Sequence, residues 1–272
     1  MPSFPPEPQP VDGELAAQRP AVAEPPIPTP VYCSANVFGL KEVVWLPERN
    51  EFRLLHGRVE HGRQSRDPAK ALIPLGYFHR SGPLGDAMRA LGEQGDIAVI
   101  GLGVGAAAAY CAPGQKMLFF EIDNEVERIA KKHFSYLQDS AGDLEVRVGD
   151  GLACLRAAQD REFSLLLVDA YDSSEVPEHF LSAEAFAVYL ARLAPAGAVI
   201  LAATHGQDAV LPAIAARAQA LQLALLTRLE VVSATEETWG DRQTSRYVAV
   251  ARKAEHLAEL ARRPGWTCPD GH

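Results

Sequence analysis

The sequence predicts an α/β fold: a doubly wound, mostly parallel sheet with a small N-terminal β appendage. Three observations predict it. The apolar run Ile97–Ile100 breaks into Gly101-Leu102-Gly103-Val104-Gly105 and then into the alanine stretch Ala106–Ala109, the pattern of a buried strand turning directly into a helix beneath a ligand. From Tyr77 onward, short apolar runs alternate with segments of helical period. Acidic residues close successive runs, at Glu121, Asp150 and Asp169.

In chain order, residues 1–30 are rich in Pro, Ala and Glu and read as an extended or disordered tail. Residues 31–75 read as a small β segment. In it Val43–Leu46 form one strand, Pro47–Asn50 a turn and Phe52–Leu55 the return strand, followed by a polar stretch with two His-Gly pairs leading through Gln64 to Pro74. Residues 76–255 form the main domain. Runs 97–101, 117–122, 144–148, 164–169 and 198–203 read as strands, and 222–227 and 246–251 can supply two more. Segments 124–137, 151–158, 182–193 and 207–220 have helical spacing between them. On the first helix Val126, Ile129, Ala130 and His133 share one face, while Glu127, Lys131 and Lys132 share another. Such alternation requires right-handed crossovers and a sheet covered on both faces. Residues 256–272 read as a C-terminal tail.

Composition bounds the function. A chain of 272 residues with 47% hydrophobic and 22% charged residues accommodates one large domain and a small appendage. A formal charge of −9 argues against nucleic acid as the main ligand, because phosphate binding wants a basic face. The four cysteines, Cys33, Cys111, Cys154 and Cys268, form no paired metal or redox motif and suit a reducing compartment. The opening residues lack a basic start followed by an apolar core, and no apolar run is long enough to span a bilayer. A cytoplasmic chain with no membrane partner is therefore expected. No histidine has H-E-x-x-H or paired metal spacing, so no metal is expected.

The ligand is argued from the strand ends. Gly101, Gly103 and Ala106 also satisfy G-x-G-x-x-[GA], so a nicotinamide dinucleotide has to be weighed. Glu121, Asp150, Asp169 and Asp172 all fall at the carboxyl ends of predicted parallel strands, which line one crevice. Four carboxylates repel a pyrophosphate but suit a cationic, phosphate-free sulfonium nucleoside. Glu121 then holds the ribose, Asp150 the adenine amino group, and Asp169 faces the reacting end. The structural alternative is that Asp150 caps the helix at 151 and Asp172 caps a turn before Ser173-Ser174.

Over roughly residues 50–205 the chain resembles the spermidine synthase family (polyamine aminopropyltransferases), especially its bacterial spermidine-synthase-like branch. The resemblance rests on L-L-H-G-R-V-E-H-G-R-Q (54–64), Y-F-H-R-S-G-P-L-G-D (77–86), I-G-L-G-V-G (100–105), F-E-I-D (120–123), G-D-G (149–151) and V-D-A-Y-D-S-S-E-V-P-E-H-F (168–180). It implies a class I S-adenosylmethionine-dependent methyltransferase-like, Rossmann-like fold. It also implies aminopropyl transfer from decarboxylated S-adenosylmethionine, or use of S-adenosylmethionine itself, with a small-molecule amine such as putrescine as acceptor. A homodimer follows by analogy alone. By the same resemblance Asp169 orients and deprotonates the amine as the catalytic residue, and Asp172 binds the polyamine. Tyr171, His79, Tyr77 (with Phe78 as the rival alignment) and Trp239 fall on the substrate side. Gln64, Gly101, Gly103, Gly105, Glu121, Ile122, Asp150 and Gly151 fall on the nucleoside side. The chain departs from the family at Val104, where an aspartate usually grips the aminopropyl ammonium; this makes ordinary S-adenosylmethionine more admissible.

The chemistry expected is displacement at a carbon next to a sulfonium, in which positioning dominates because the thioether leaves neutral. Asp169 accepts an amine proton, Asp172 with Glu175 anchors a distal ammonium, and Tyr171–Phe180 forms a lid. Methyl transfer on the same fold and a catalytically inactive nucleoside-binding module are the two rivals.

Overall fold

The computed structural model describes residues 29–93, 95–171, 176–203 and 210–269. The expected N-terminal tail falls almost wholly outside them. Two sheets organise the rest. The first is a four-stranded antiparallel meander of β1 (Thr29–Asn36), β2 (Gly39–Leu46), β3 (Glu51–His56) and β4 (Val59–Ser65). Only its middle pair was legible. The strand β4 reads Val-Glu-His-Gly-Arg-Gln-Ser, with no apolar alternation, because its buried positions are Gly62, Arg63 and Gln64, the last two bonded to Glu60 and Ser135.

The second sheet has seven strands: β5 (Ile97–Ile100), β6 (Lys116–Glu121), β7 (Asp143–Val148), β8 (Phe163–Val168), β9 (Leu193–Ala202), β10 (Ala224–Glu230) and β11 (Ser245–Ala251). Their order is β10-β11-β9-β8-β5-β6-β7. Strands β5 to β9 run parallel, and β11 enters antiparallel between β9 and β10. The helices are α1 (Pro83–Ala87), α2 (Asn124–His133), α3 (Tyr136–Asp139), α4 (Gly151–Ala157), α5 (Ala183–Arg192), α6 (Val210–Ala220), α7 (Ala234–Trp239) and α8 (Ala258–Ala261). No helix among the described residues is long and apolar enough to cross a membrane.

Alternate residues of the central strands feed two cores. Val99, Phe119, Leu165, Leu167 and Ile200 point to one face, while Ala98, Ile100, Phe120, Leu166 and Val168 point to the other. That two-sided burial is why these strands read as continuous apolar runs. Two expectations are corrected. The alanine stretch forms only a 3₁₀ turn, Ala106–Tyr110, instead of a helix, because Pro113-Gly114 follows within a few residues and restricts the backbone. Residues beyond 255 do not trail away: Leu257, Leu260 and Trp266 are buried, and Thr267 pairs with Thr227 of β10.

Sheet direction reverses between β5 and β8, which places the carboxyl ends of both strands at the topological switch point. There Gly101 has φ +98°, and a Cβ on it would lie 2.2 Å from the carbonyl oxygen of Asp169. Gly114 has φ +78° in open space. Gly101→Ala is therefore expected to lower unfolding free energy by about 3 kcal/mol or more, through left-handed strain plus a backbone clash. Gly114→Ala, with the strain alone, is expected to cost about 1 kcal/mol. Urea denaturation of both variants checks the difference.

Candidate active site

A cavity of about 500 Å³ opens at the switch point. The ends of β5, β6 and β8 form its floor, and the first residues of α4 form one side. The N-terminal sheet closes it from above with Phe38, Lys41, His56 and His61.

The floor is built by glycines that admit close approach. Gly103 (φ +53°) passes under β4, where a Cβ would meet the carbonyl oxygen of His61 at 2.6 Å. Between the two cavity glycines, the Leu102 amide donates to Glu121 Oε2 at 2.9 Å. Glu121 Oε1 accepts from the Asp123 amide, also at 2.9 Å. Glu121 is buried, and burial raises its carboxyl above the usual range against the opposing pull of these backbone donors. The side chain at the end of β6 thus braces the glycine loop and also lines the cavity, where hydroxyls could donate to its remaining acceptor capacity. Ile122 beside it is half exposed and lines the same wall.

Asp169 ends β8 under different conditions. Its Oδ1 is enclosed and has no hydrogen-bond partner. Its Oδ2 accepts a long hydrogen bond, 3.5 Å, from the Tyr77 hydroxyl. Burial pushes the Asp169 carboxyl up to about 7, with the tyrosine contact opposing the rise. The Tyr77 phenol is in turn raised well above its ordinary value, first by burial and then by the neighbouring carboxylate. Gly76 (φ +67°) sets the chain direction before Tyr77, and Tyr247 of β11 donates to the Tyr77 carbonyl at 3.3 Å. Tyr171 completes this end of the cavity. Phe78 packs in the core, 4.5 Å from the Tyr77 ring, and does not line the cavity.

Asp150 lines the cavity and also caps α4, accepting from the Ala153 amide at 2.8 Å. The capping and cavity-facing roles coexist there. Gly151 next to it lines the cavity as well, and a Cβ on it would meet Ile100 Cγ2 at 2.5 Å.

Four of the sequence-predicted positions lie elsewhere. The Gln64 amide is committed to a structural clasp: Nε2 donates to the Ala71 carbonyl (2.9 Å) and Ser135 Oγ (3.0 Å), and Oε1 accepts from the Ser135 amide. Both donors are used, and the side chain does not line the cavity. Gly105 packs against Leu137, not against the cavity. His79 lies outside the cavity with Nδ1 engaged by Ser81, and burial lowers its pKa. Trp239, at the end of α7, borders a second cavity of about 280 Å³ with Arg49, Glu51 and Asp241. Asp172 and Glu175 lie outside the described residues.

The structure brings in residues that sequence reasoning missed. Lys41 and Asp123 form a buried ion pair on the cavity wall, and Asn36 bridges it, accepting from Lys41 Nζ at 2.6 Å and donating to Asp123 at 2.8 Å. His56 and His61 stand with ring centroids 5.2 Å apart. The usable signal was Asn36-Val37-Phe38-Gly39, an N-x-x-G turn that announces a hairpin. Among the described residues no group of His, Cys, Asp or Glu could hold a metal ion.

Two outcomes follow. The folded Asp169 carboxyl titrates near 7, whereas an unfolded aspartate titrates near about 4. The folded state therefore holds the extra proton between these values, and ionising the carboxyl opposes folding increasingly as pH rises. Asp169→Asn is expected to stabilise the fold by on the order of a few kcal/mol at about pH 8, with the gain shrinking toward about pH 4. Thermal melts across that range check it. Gln64→Leu is expected to cost about 2 kcal/mol by stranding the Ser135 amide, while leaving the melting shift produced by an adenine nucleoside unchanged.

No family model matches the chain. In sequence it is 28% identical over 130 residues to a polyamine aminopropyltransferase of Prochlorococcus marinus (strain AS9601), covering 44% of each chain. It is 32% identical over 113 residues to a polyamine aminopropyltransferase of Vibrio vulnificus (strain CMCP6), covering 40% of this chain and 37% of that one. The chain thus spans less than half the length of these curated relatives. In structure it matches a spermidine synthase from Thermotoga maritima with TM-score 0.59 and 12% identity, over 85% of this chain and 75% of that one. It matches a probable spermidine synthase from Corynebacterium glutamicum with TM-score 0.60 and 14% identity, over 89% and 90%. The chain therefore resembles the spermidine synthase family in partial sequence and shares the fold of these solved structures, a mostly parallel α/β sheet with an antiparallel N-terminal sheet.

Proposed function

We propose that the chain is an aminopropyltransferase. It would move the aminopropyl group of decarboxylated S-adenosylmethionine to a polyamine such as putrescine. One observation carries this reading: a buried carboxyl, Asp169, stands on the cavity floor beside Tyr77 with one oxygen unpartnered and a pKa of about 7. Such a group is poised to take a proton near neutrality. The fold shared with spermidine synthases supports the reading. So does a spermidine synthase solved in complex with the transition-state analogue AdoDATO, which the chain matches with TM-score 0.58 and 11% identity.

In this reading Glu121 takes the ribose hydroxyls, Ile122 supports the base, and Asp150, with Gly151 behind it, takes the adenine amino group. The Gly101–Gly103 turn lets the sulfonium approach the backbone. The cavity fits such a guest, because its floor is shaped by glycines where a Cβ would intrude on the neighbouring backbone. The acceptor amine sits between Tyr77, Tyr171 and Asp169, with Asp172 proposed for a distal ammonium. Its nitrogen attacks the propyl carbon attached to sulfur, the carbon–sulfur bond breaks with its electron pair going to sulfur, and the amine proton passes to Asp169. Neutral methylthioadenosine leaves. Alignment and charge placement supply the acceleration.

Methyl transfer from S-adenosylmethionine is the second reading, and one observation favours it. Val104 is buried against Gly62, so this position of the glycine loop offers no carboxylate to an aminopropyl ammonium.

Products separate the two. With putrescine and the decarboxylated nucleoside, methylthioadenosine is expected; release of S-adenosylhomocysteine from the ordinary nucleoside would establish the second reading. Asp169→Asn is expected to lower kcat by at least about 10²-fold while leaving nucleoside affinity nearly intact. An equal loss of affinity would make Asp169 a nucleoside ligand instead. The wild-type kcat/KM is expected to rise with pH through about 7, as Asp169 ionises.

A further inference from the structure

Three large apolar side chains stand exposed around the cavity mouth: Val37 at 94%, Phe38 at 40% and Ile122 at 52%. Ile122 belongs to the nucleoside wall. Val37 and Phe38 come from a different part of the chain, the two-residue turn between β1 and β2. Exposed apolar surface of this kind, contributed by two separate segments around one opening, marks a place where an apolar ligand surface can bind.

The turn is not a loose flap. Asn36 Oδ1 accepts from the Phe38 amide at 2.9 Å and from Lys41 Nζ, and Asn36 Nδ2 donates to Asp123. Lys41 completes the link through its buried ion pair with Asp123. The Phe38 carbonyl lies 2.5 Å from His56 Nε2, and Gly39 (φ +104°) gives that ring room, since a Cβ would stand 2.6 Å from it. The hairpin tip is thus fastened to the residue directly after Ile122. Along Glu121, Ile122 and Asp123 the wall passes from a carboxylate, through an apolar side chain, to the anchor of the hairpin.

Resting on the proposed reading of Glu121 as the ribose ligand, we infer that the β1–β2 tip is a base-recognition element. Val37 and Phe38 cover the base of a purine nucleoside whose other apolar surface rests against Ile122. A flat, weakly polar ring is the guest that matches hydrocarbon side chains gathered around one opening, and the position next to the ribose carboxylate is where a base has to lie. The N-terminal sheet then contributes directly to nucleoside affinity.

Because Val37 and Phe38 are exposed, their replacement leaves the core intact. The test measures the affinity of methylthioadenosine and of adenosine by calorimetry for the wild type, for Val37→Ser/Phe38→Ser, and for Leu40→Ser. Leu40 is an exposed neighbour on the same hairpin that does not line the cavity. The double variant is expected to bind both nucleosides about tenfold or more weakly, since both carry the base, and Leu40→Ser to bind as the wild type does. Unchanged nucleoside affinity in the double variant overturns the inference and leaves the proposed function standing. A change in native mass without a change in affinity also overturns it, and makes the tip a contact between copies of the chain. Failure of the wild type to bind either nucleoside sinks both readings together.

Discussion

The site depends on how tightly β5 and β8 converge at their carboxyl ends. Gly101 leaves β5 in a left-handed conformation directly against the Asp169 carbonyl, and the Asp169 amide returns a hydrogen bond to the Ile100 carbonyl at 2.9 Å. Any side chain at 101 would push the strands apart. With it absent, the glycine loop and the carboxyl at the end of β8 are held in one backbone unit. The reversal of strand order at β5 then opens a crevice immediately beside that unit.

Two buried carboxyls at the strand ends on either side of β5 illustrate how surroundings separate like groups. Glu121 and Asp169 both lose water, and both are pushed toward the neutral form. Glu121 recovers two backbone donors and serves as a brace with acceptor capacity to spare. Asp169 recovers only a long contact from Tyr77, so its proton affinity is left high. Environments that separate the behaviour of like groups let a fold give them different tasks, which the proposed reading assigns as ribose binding to Glu121 and proton transfer to Asp169.

The N-terminal sheet belongs to the same machinery. Its β4 lies over Gly103, its Gly62 lies over Val104, and its first hairpin is tied to Asp123 by a buried lysine and an asparagine. A buried ion pair of this kind is costly to break, because removing one partner strands the other. It therefore fixes the relative position of the two sheets at the cavity. The floor comes from one sheet and the roof from the other, so neither alone encloses a ligand.

The amino-acid sequence by itself determined the parallel sheet, the glycine turn and the acidic strand ends. Two-sided burial forces continuous apolar runs such as Leu165–Val168, and left-handed turns at closely packed backbones force glycine; both are local demands that a single chain segment displays. It did not reveal β4, whose interior side chains are polar, nor the Lys41–Asn36–Asp123 link, whose members come from distant segments. Gln64 and His79 looked like ligand residues because they sit in family-like motifs, yet tertiary packing spends Gln64 on Ser135 and Ala71 and turns His79 toward Ser81. Only the folded arrangement decided which polar groups were already satisfied and which faced the cavity, because hydrogen-bond partners across the chain compete for the same side chain before any ligand does.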